Sequence, residues 1–205
     1  MSGMLFLKGF VVGVLIAAPI GPVGVLCIQR TLTKGKLYGL ISGLGAATAD
    51  AFYGCVVAFG LTMISNFLAA EQFWFRLIGG IFLCCLGLKD FLVKPMEATM
   101  PGNNVNYIGA YTSALFMTLM SPMTVLGCIA LFAGLGIVNL DLQYISASML
   151  VGGVFSGSGT WWVILSYTTG LFRRKIEDDK LSRIIKISGV VIAIFGVLAI
   201  LSVLL

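Results

Sequence analysis

The sequence predicts an all-α integral membrane fold of six transmembrane helices, arranged as two inverted three-helix repeats with both termini outside. Three observations carry that expectation. The 205 residues are 59% hydrophobic and only 10% charged, with a mean hydropathy of +1.06, more apolar sequence than the core of a soluble domain this long accommodates. Apolar runs of bilayer-spanning length recur along the chain, and basic residues gather in alternate turns between them.

The first run, 9–28, carries no charge over 20 residues, enough to cross roughly 30 Å of hydrocarbon. It is too long for the apolar stretch of a cleaved signal peptide, and Pro19-Ile20-Gly21-Pro22 follows without a small-residue cleavage pattern. Pro19 and Pro22 lack an N–H and clash with the preceding turn, so they kink or interrupt the helix and free a carbonyl. In lipid such a break belongs beside a cavity or another helix. Gly21 and Gly24 let the backbone turn or approach a neighbour there.

The second run, 37–61, places Gly39, Gly43 and Ala47 four residues apart, with Gly54 beyond, on a face that another backbone can approach. Asp50 lies in its middle and is the sole carboxylate deep inside any run. A carboxylate there is costly unless it faces a polar cavity, finds a partner or carries a proton. It is the first candidate for proton coupling, with a structural buried hydrogen bond as the plainer alternative. Tyr53 shares its helix face at i+3, and Thr48 is close in sequence.

The third run is 73–93. The fourth, 107–136, contains Pro122 and the hydroxyls of Thr118, Ser121 and Thr124. The fifth, 144–172, is rich in small residues, Gly152, Gly153, Ser156, Gly157, Ser158 and Gly159, and then turns to Trp161 and Trp162. Indole rings at this place either wall a polar pocket or fill the bundle. The sixth run is 184–205.

Between the runs, the first turn carries Arg30, Lys34 and Lys36, the third Lys89 and Lys94, and the fifth Arg173, Arg174, Lys175, Lys180, Arg183 and Lys186. The second and fourth turns have no basic residue. The positive-inside rule then places the odd turns in the cytoplasm. Lys8 and Arg76 are left to snorkel to the outer interface. The net charge of +5 is accounted for by this orientation, so no nucleic-acid partner is expected.

Two faint echoes relate the halves, 1–95 and 107–205, of what reads as a single transporter domain. Pro22-Val23-Gly24-Val25-Leu26-Cys27-Ile28 resembles Pro122-Met123-Thr124-Val125-Leu126-Gly127-Cys128-Ile129, and Arg76-Leu77-Ile78-Gly79 resembles Lys186-Ile187-Ser188-Gly189. Three spans per repeat is an odd number, so such repeats would be inverted across the bilayer, the usual frame for alternating access around a midplane site.

Several chemistries are excluded or disfavoured. With no histidine, His-ligated metals, His-Asp nucleophile triads and imidazole relays are absent. No glycine-rich phosphate loop or carboxylate cluster for two metals occurs, and no cofactor, metal or enzymatic activity is expected. Cys27, Cys55, Cys84, Cys85 and Cys128 lie in or at the ends of apolar runs without a Cys-x-x-Cys pair, as packed cysteines do. A thiol relay through Cys27 and Cys128, in a membrane oxidoreductase, is the rival reading. A non-transport membrane assembly protein is a third.

The run of motifs resembles the LysE/RhtB family of amino-acid exporters. The resemblance covers nearly the whole chain: Pro19-Ile20-Gly21-Pro22, Gly43-Leu44-Gly45, Ala49-Asp50, Gly79-Gly80 to Leu86-Gly87-Leu88-Lys89, Ser121-Pro122, Gly157-Ser158, Trp161-Trp162 and Gly170-Leu171-Phe172-Arg173-Arg174. It implies a six-helix fold that exports amino acids or related small solutes with the proton motive force. The chain departs from the family pattern at Val23 and Gly24, where a polar residue usually follows the second proline, and at Ser121, where many members have asparagine. Both departures remove polar groups from the implied binding region, so the resemblance implies transport more strongly than any named cargo.

The expected function is therefore secondary active export of an amino-acid-like solute by proton antiport, from a multi-pass protein of a bacterial cytoplasmic membrane. The candidate substrate and coupling residues are Pro19, Gly21, Pro22, Gln29, Asp50, Tyr53, Thr118, Ser121, Pro122, Thr124 and Trp161. Gln29 is placed at the cytoplasmic entrance. The glycine-rich faces pack within one chain or between two, so a homodimer is compatible with them.

Overall fold

A computed structural model of the chain describes residues 2–19, 21–58, 71–92, 106–121, 124, 128, 131, 144–172 and 178–204. These residues form α-helices and no β-sheet: α1 (Ser2–Ala17), α2 (Pro22–Lys34), α3 (Lys36–Ala58), α4 (Gln72–Leu92), α5 (Tyr107–Leu119), α6 (Tyr144–Phe172) and α7 (Asp178–Leu204). Ile20, Lys94, Pro122, the greater part of 122–136 and Arg173 to Lys175 lie outside the described residues.

The first expected span is two helices. Pro19 disfavours a helical Ala18, α1 ends at Ala17, and Pro22 opens α2 at the position where a missing N–H costs nothing. The two segments bend by 79° at this break. α2 then runs to Lys34, beyond the expected end at 28, and stops at Gly35, whose φ of 104° turns the chain into α3. The fourth expected span is likewise interrupted. α5 ends at Leu119, and the Ser121 and Thr124 N–H groups bond the carbonyls of Thr118 and Ser121, a tighter turn than an α-helix makes. The fifth span keeps the expected bounds, whereas α7 begins six residues earlier than 184.

Among the described residues two helices are long and apolar enough to cross a membrane alone, Tyr144–Phe172 and Arg183–Leu201, and the bent pair Gly3–Ala17 with Pro22–Lys34 makes a third where it is counted as one span. α3 has the length, 23 residues, and carries Thr48 and Asp50 within its apolar sequence.

Glycines set the packing. α1 lies on α6, where a Cβ at Gly13 would meet the Val154 carbonyl and a Cβ at Gly157 the Phe10 carbonyl. α5 packs on α3 through Gly45, against the Tyr111 carbonyl, and α4 on α7, where a Cβ at Gly80 would stand 2.9 Å from the Gly196 carbonyl. The Gly39/Gly43 stripe, expected to receive a backbone, instead receives side chains: Thr31 and Ser166 at Gly39, Trp162 at Gly43. The backbone contact falls to Gly45, on a neighbouring face. A furrow of hydrogen atoms accepts whichever group the partner helix presents, and α6 presents an indole.

The core divides into clusters. Val12, Tyr53, Leu150 and Val154 centre one, with Cys128 among its members. Ala17, Cys27, Ala46, Ala47 and Trp162 form a second, and Leu26, Leu83, Met117 and Ile192 a third.

The packing predicts opposite results for two glycines of α6. Gly157→Ala forces a methyl into the α1 backbone and lowers stability by roughly 1–3 kcal/mol. Gly152→Ala meets nothing within 4 Å and is neutral or stabilising by up to about 1 kcal/mol through helix propensity. Unfolding midpoints of the two purified variants in detergent check this.

Candidate functional site

The site is organised by a carboxyl group. Asp50 is 2% exposed in the middle of α3, and its Oδ2 accepts a 2.6 Å hydrogen bond from the hydroxyl of Ser158 on α6. One turn further along α6, the Trp162 indole N–H donates to the same Ser158 Oγ at 3.2 Å. Ser158 is fully buried. Among the described residues, its hydroxyl is the one hydrogen-bond donor to Asp50. A buried carboxyl with a single neutral donor is not stabilised as a permanent anion by that bond alone.

Both helix breaks adjoin this group. Ala17, the last residue of α1, packs with Ala46 and Ala47, one turn of α3 before Asp50, and with Trp162. The end of α1 thus sits beside the turn of α3 that precedes Asp50, while Pro19 is exposed and a Cβ at Gly21 would meet nothing within 4 Å. On the other side Tyr53, one turn after Asp50 and 3% exposed, donates its phenol to the Leu119 carbonyl at 2.6 Å. Leu119 is the last residue of α5, where helix carbonyls take partners from outside the regular ladder. Tyr53 is thus the cap of the second break.

The other expected residues take varied places. Thr118 is buried and bonds back to the Ala114 carbonyl at 2.9 Å. Ser121 and Thr124 are partly buried in the turn after α5, while Pro122 lies outside the described residues. Trp161 packs as a partly buried wall against the Ala17, Cys27 and Trp162 cluster; the polar indole contact belongs to Trp162. Thr48 receives the Tyr111 phenol at 2.8 Å. Gln29 is 6% exposed, and its Oε1 has no partner among the described residues. It stands two turns down α2 from Pro22, roughly 10 Å away, and is not joined to the Asp50 group.

Three groups were not singled out from sequence. Ser158 reads as a small packing residue until α6 is laid against α3. Trp162 and Trp161 are indistinguishable in composition, and only the helix phase selects one. Arg30, counted with the first cytoplasmic turn, lies inside α2 instead: its guanidinium donates to Ser42 Oγ, the Ala110 carbonyl and Ser113 Oγ, each at 2.8 Å. The signal for it was Pro22, since a helix that starts there and stops at Gly35 carries Arg30 in its third turn. These bonds tie α2 and α3 to α5. Beside them the Tyr38 and Tyr107 rings meet at 4.8 Å, and Tyr38 Oη accepts the Asn106 N–H at 2.9 Å.

The free thiols of Cys27 and Cys128 are buried in separate clusters. No group of three or more Cys, Asp or Glu suited to a metal occurs among the described residues.

A membrane bundle with two interrupted helices around one buried carboxyl is matched by a family model described as LysE type translocator, over residues 14–203. The chain belongs to the LysE family. It is an integral membrane protein of a translocator class and not an enzyme. Its relatives include YcgF of Bacillus subtilis strain 168, 25% identical over 94% of this chain and 93% of its own length and provisionally described as an amino acid efflux protein. YahN of Escherichia coli K12 is 26% identical over 84% of this chain and 77% of its own, and YrhP of B. subtilis 23% identical over 84% and 87%. Both are described as uncharacterized membrane proteins. No solved structure matches this LysE-family chain.

The Asp50 network makes a graded prediction. Ser158→Ala leaves the carboxyl without its donor and costs about 1–3 kcal/mol. Trp162→Phe removes only the outer N–H and costs less. Thermal unfolding of each variant against the parent protein measures the order.

Proposed function

We propose that this LysE-family protein is a secondary active exporter that moves an amino acid or related small solute out of the cytoplasm by proton antiport with alternating access. The observation that carries the proposal is Asp50: a carboxyl buried in the bundle, held by Ser158, and flanked by two backbone breaks. A group so placed suits exchange of a proton with each change of access. The description of YcgF as an amino acid efflux protein supports the solute class.

The exchange of contacts between halves supports two inverted repeats of three spans. α1 of the first half packs on α6 of the second, α5 of the second packs on α3 of the first, and α3 meets α6 as α4 meets α7. In this reading the chain is a six-span protein of the bacterial cytoplasmic membrane with both termini outside. The solute binds near Pro19/Pro22 and Ser121/Pro122. The start of α2 has no side-chain cap, so its N–H groups and the positive helix end are offered to a solute carboxylate. Gln29 lines the way from the cytoplasm, Trp161 walls the pocket on the cytoplasmic side of Asp50, and Thr118 and Thr124 offer hydroxyls at the second break.

The Arg30 bonds with Ser42, Ala110 and Ser113, and the Tyr38–Tyr107 contact, close the cytoplasmic ends of α2, α3 and α5. They must part for solute to enter. A proton from outside neutralises Asp50, and its release to the cytoplasm resets the carriage. The thiol-relay reading has no such support, because Cys27 and Cys128 sit in different clusters.

Two measurements test the proposal. Sealed proteoliposomes loaded with labelled basic, neutral and acidic amino acids release at least one class faster under an imposed pH gradient, and Asp50→Asn brings that release to the no-gradient level. Gradient-driven release unchanged in Asp50→Asn rejects the coupling role. Arg30→Gln loses bonds worth about 1.5–3 kcal/mol each; it therefore raises cytoplasmic-side maleimide labelling of Cys27, which is fully buried, by about tenfold or more. Peptide mass spectrometry reads the modification, and an unchanged rate shows that Arg30 is no gate.

A further inference from the structure

The face formed by α4 and α7 takes no part in the Asp50 site. The two helices pack closely, with the Gly189 carbonyl lying where a Cβ at Gly87 would be. Along the outer side of this contact runs a furrow of about 380 Å³, lined by Gly87, Leu88 and Phe91 of α4 and by Gly189, Val190 and Ile194 of α7, and extending to Leu198. Its floor is glycine and its walls are exposed apolar side chains. From Gly189 to Leu198 the furrow follows nine steps of helix, about 14 Å. That is close to half of a hydrocarbon core of roughly 30 Å.

The stripe of α7 that lines the furrow does not end in apolar residues. Positions 183, 186, 190, 194 and 197 recur at helical spacing on one face, and the first two are Arg183 and Lys186, both exposed. By that spacing Lys186 and Arg183 stand about one and two turns before Gly189, on the furrow's side of α7 and at the end that the proposed topology puts at the cytoplasmic interface.

We propose that this furrow binds an anionic phospholipid of the cytoplasmic leaflet, with an acyl chain along Gly87, Gly189, Val190 and Ile194 and the phosphate between Arg183 and Lys186. Length, apolar lining and cationic mouth match the parts of one lipid in order. Basic sites between membrane helices on the cytoplasmic side favour anionic headgroups. A second copy of the chain fits less well. A dimer symmetric about the membrane normal that met at this furrow would bring Arg183 and Lys186 of both copies to the same depth, where like charges repel. The inference takes only the identity of the leaflet from the proposed topology and is independent of the transported solute.

The test uses the full chain purified in neutral detergent and offered phosphatidylglycerol and phosphatidylcholine with identical acyl chains, bound lipids being counted by native mass spectrometry. The parent protein retains phosphatidylglycerol in preference, and R183Q/K186Q lowers that preference about tenfold. V190F, which fills the furrow, reduces retention of both lipids. K8Q/K36Q makes the same change of charge away from the α4/α7 face, Lys36 lying over the Tyr167 ring, and keeps the preference. Matching unfolding midpoints establish that the variants are folded. Equal retention of the two lipids by the parent protein overturns the proposal, as does a preference that survives R183Q/K186Q or that K8Q/K36Q abolishes equally. If V190F dissociates a dimer while the lipid preference stands, the furrow belongs to a second copy and the proposal fails.

Discussion

The hydrogen bond between Ser158 and Asp50 imposes the tightest condition on this bundle. A carboxyl in the middle of a membrane helix needs a polar partner, and here the partner comes from α6, more than a hundred residues along the chain. A serine hydroxyl is short, so the α3 and α6 backbones must come close over several turns. Gly43 yields to Trp162 to permit it. The same demand continues outward to α1, which reaches α6 only because Gly9, Gly13, Gly153 and Gly157 have no side chains in the way. The small-residue composition is therefore a consequence of where the polar group lies.

Interrupting helices beside that group adds a second condition, since freed backbone groups in a membrane must be satisfied within the protein. Tyr53 meets it for α5 by donating to the Leu119 carbonyl, and the turn hydrogen bonds of Ser121 and Thr124 meet it locally. At the first break the Gly21 N–H bonds the Pro19 carbonyl at 2.9 Å, and the Val25 N–H the Gly21 carbonyl at 3.1 Å. Because Asp50 and Tyr53 are one turn apart on α3, a change at the carboxyl and a change at the α5 break are mechanically adjacent. Arg30 extends the connection, since its three acceptors lie on α3 and α5. A polar inner set of helices, α2, α3, α5 and α6, is thus linked by directional bonds, while α4 and α7 meet through apolar and glycine contacts.

Much of this was legible in the sequence. An all-α membrane protein follows from hydropathy and charge spacing alone, because the bilayer rewards no other use of such runs. The breaks at Pro19/Pro22 and ahead of Pro122 follow from the proline ring, a local covalent fact. Asp50 follows from the cost of its burial, and the LysE-family membership from the order of motifs along the chain. Local chemistry and solvent determined these features, and both are properties of the sequence by itself. Only the tertiary structure decided that Ser158, rather than Thr48 or Tyr53, meets Asp50, that Trp162 rather than Trp161 joins them, and that Arg30 ties three helices together instead of lying in a loop. Each of those choices depends on the rotation and crossing of helices distant in sequence, and a difference of one residue, about 100° around a helix, separates the partner from the bystander.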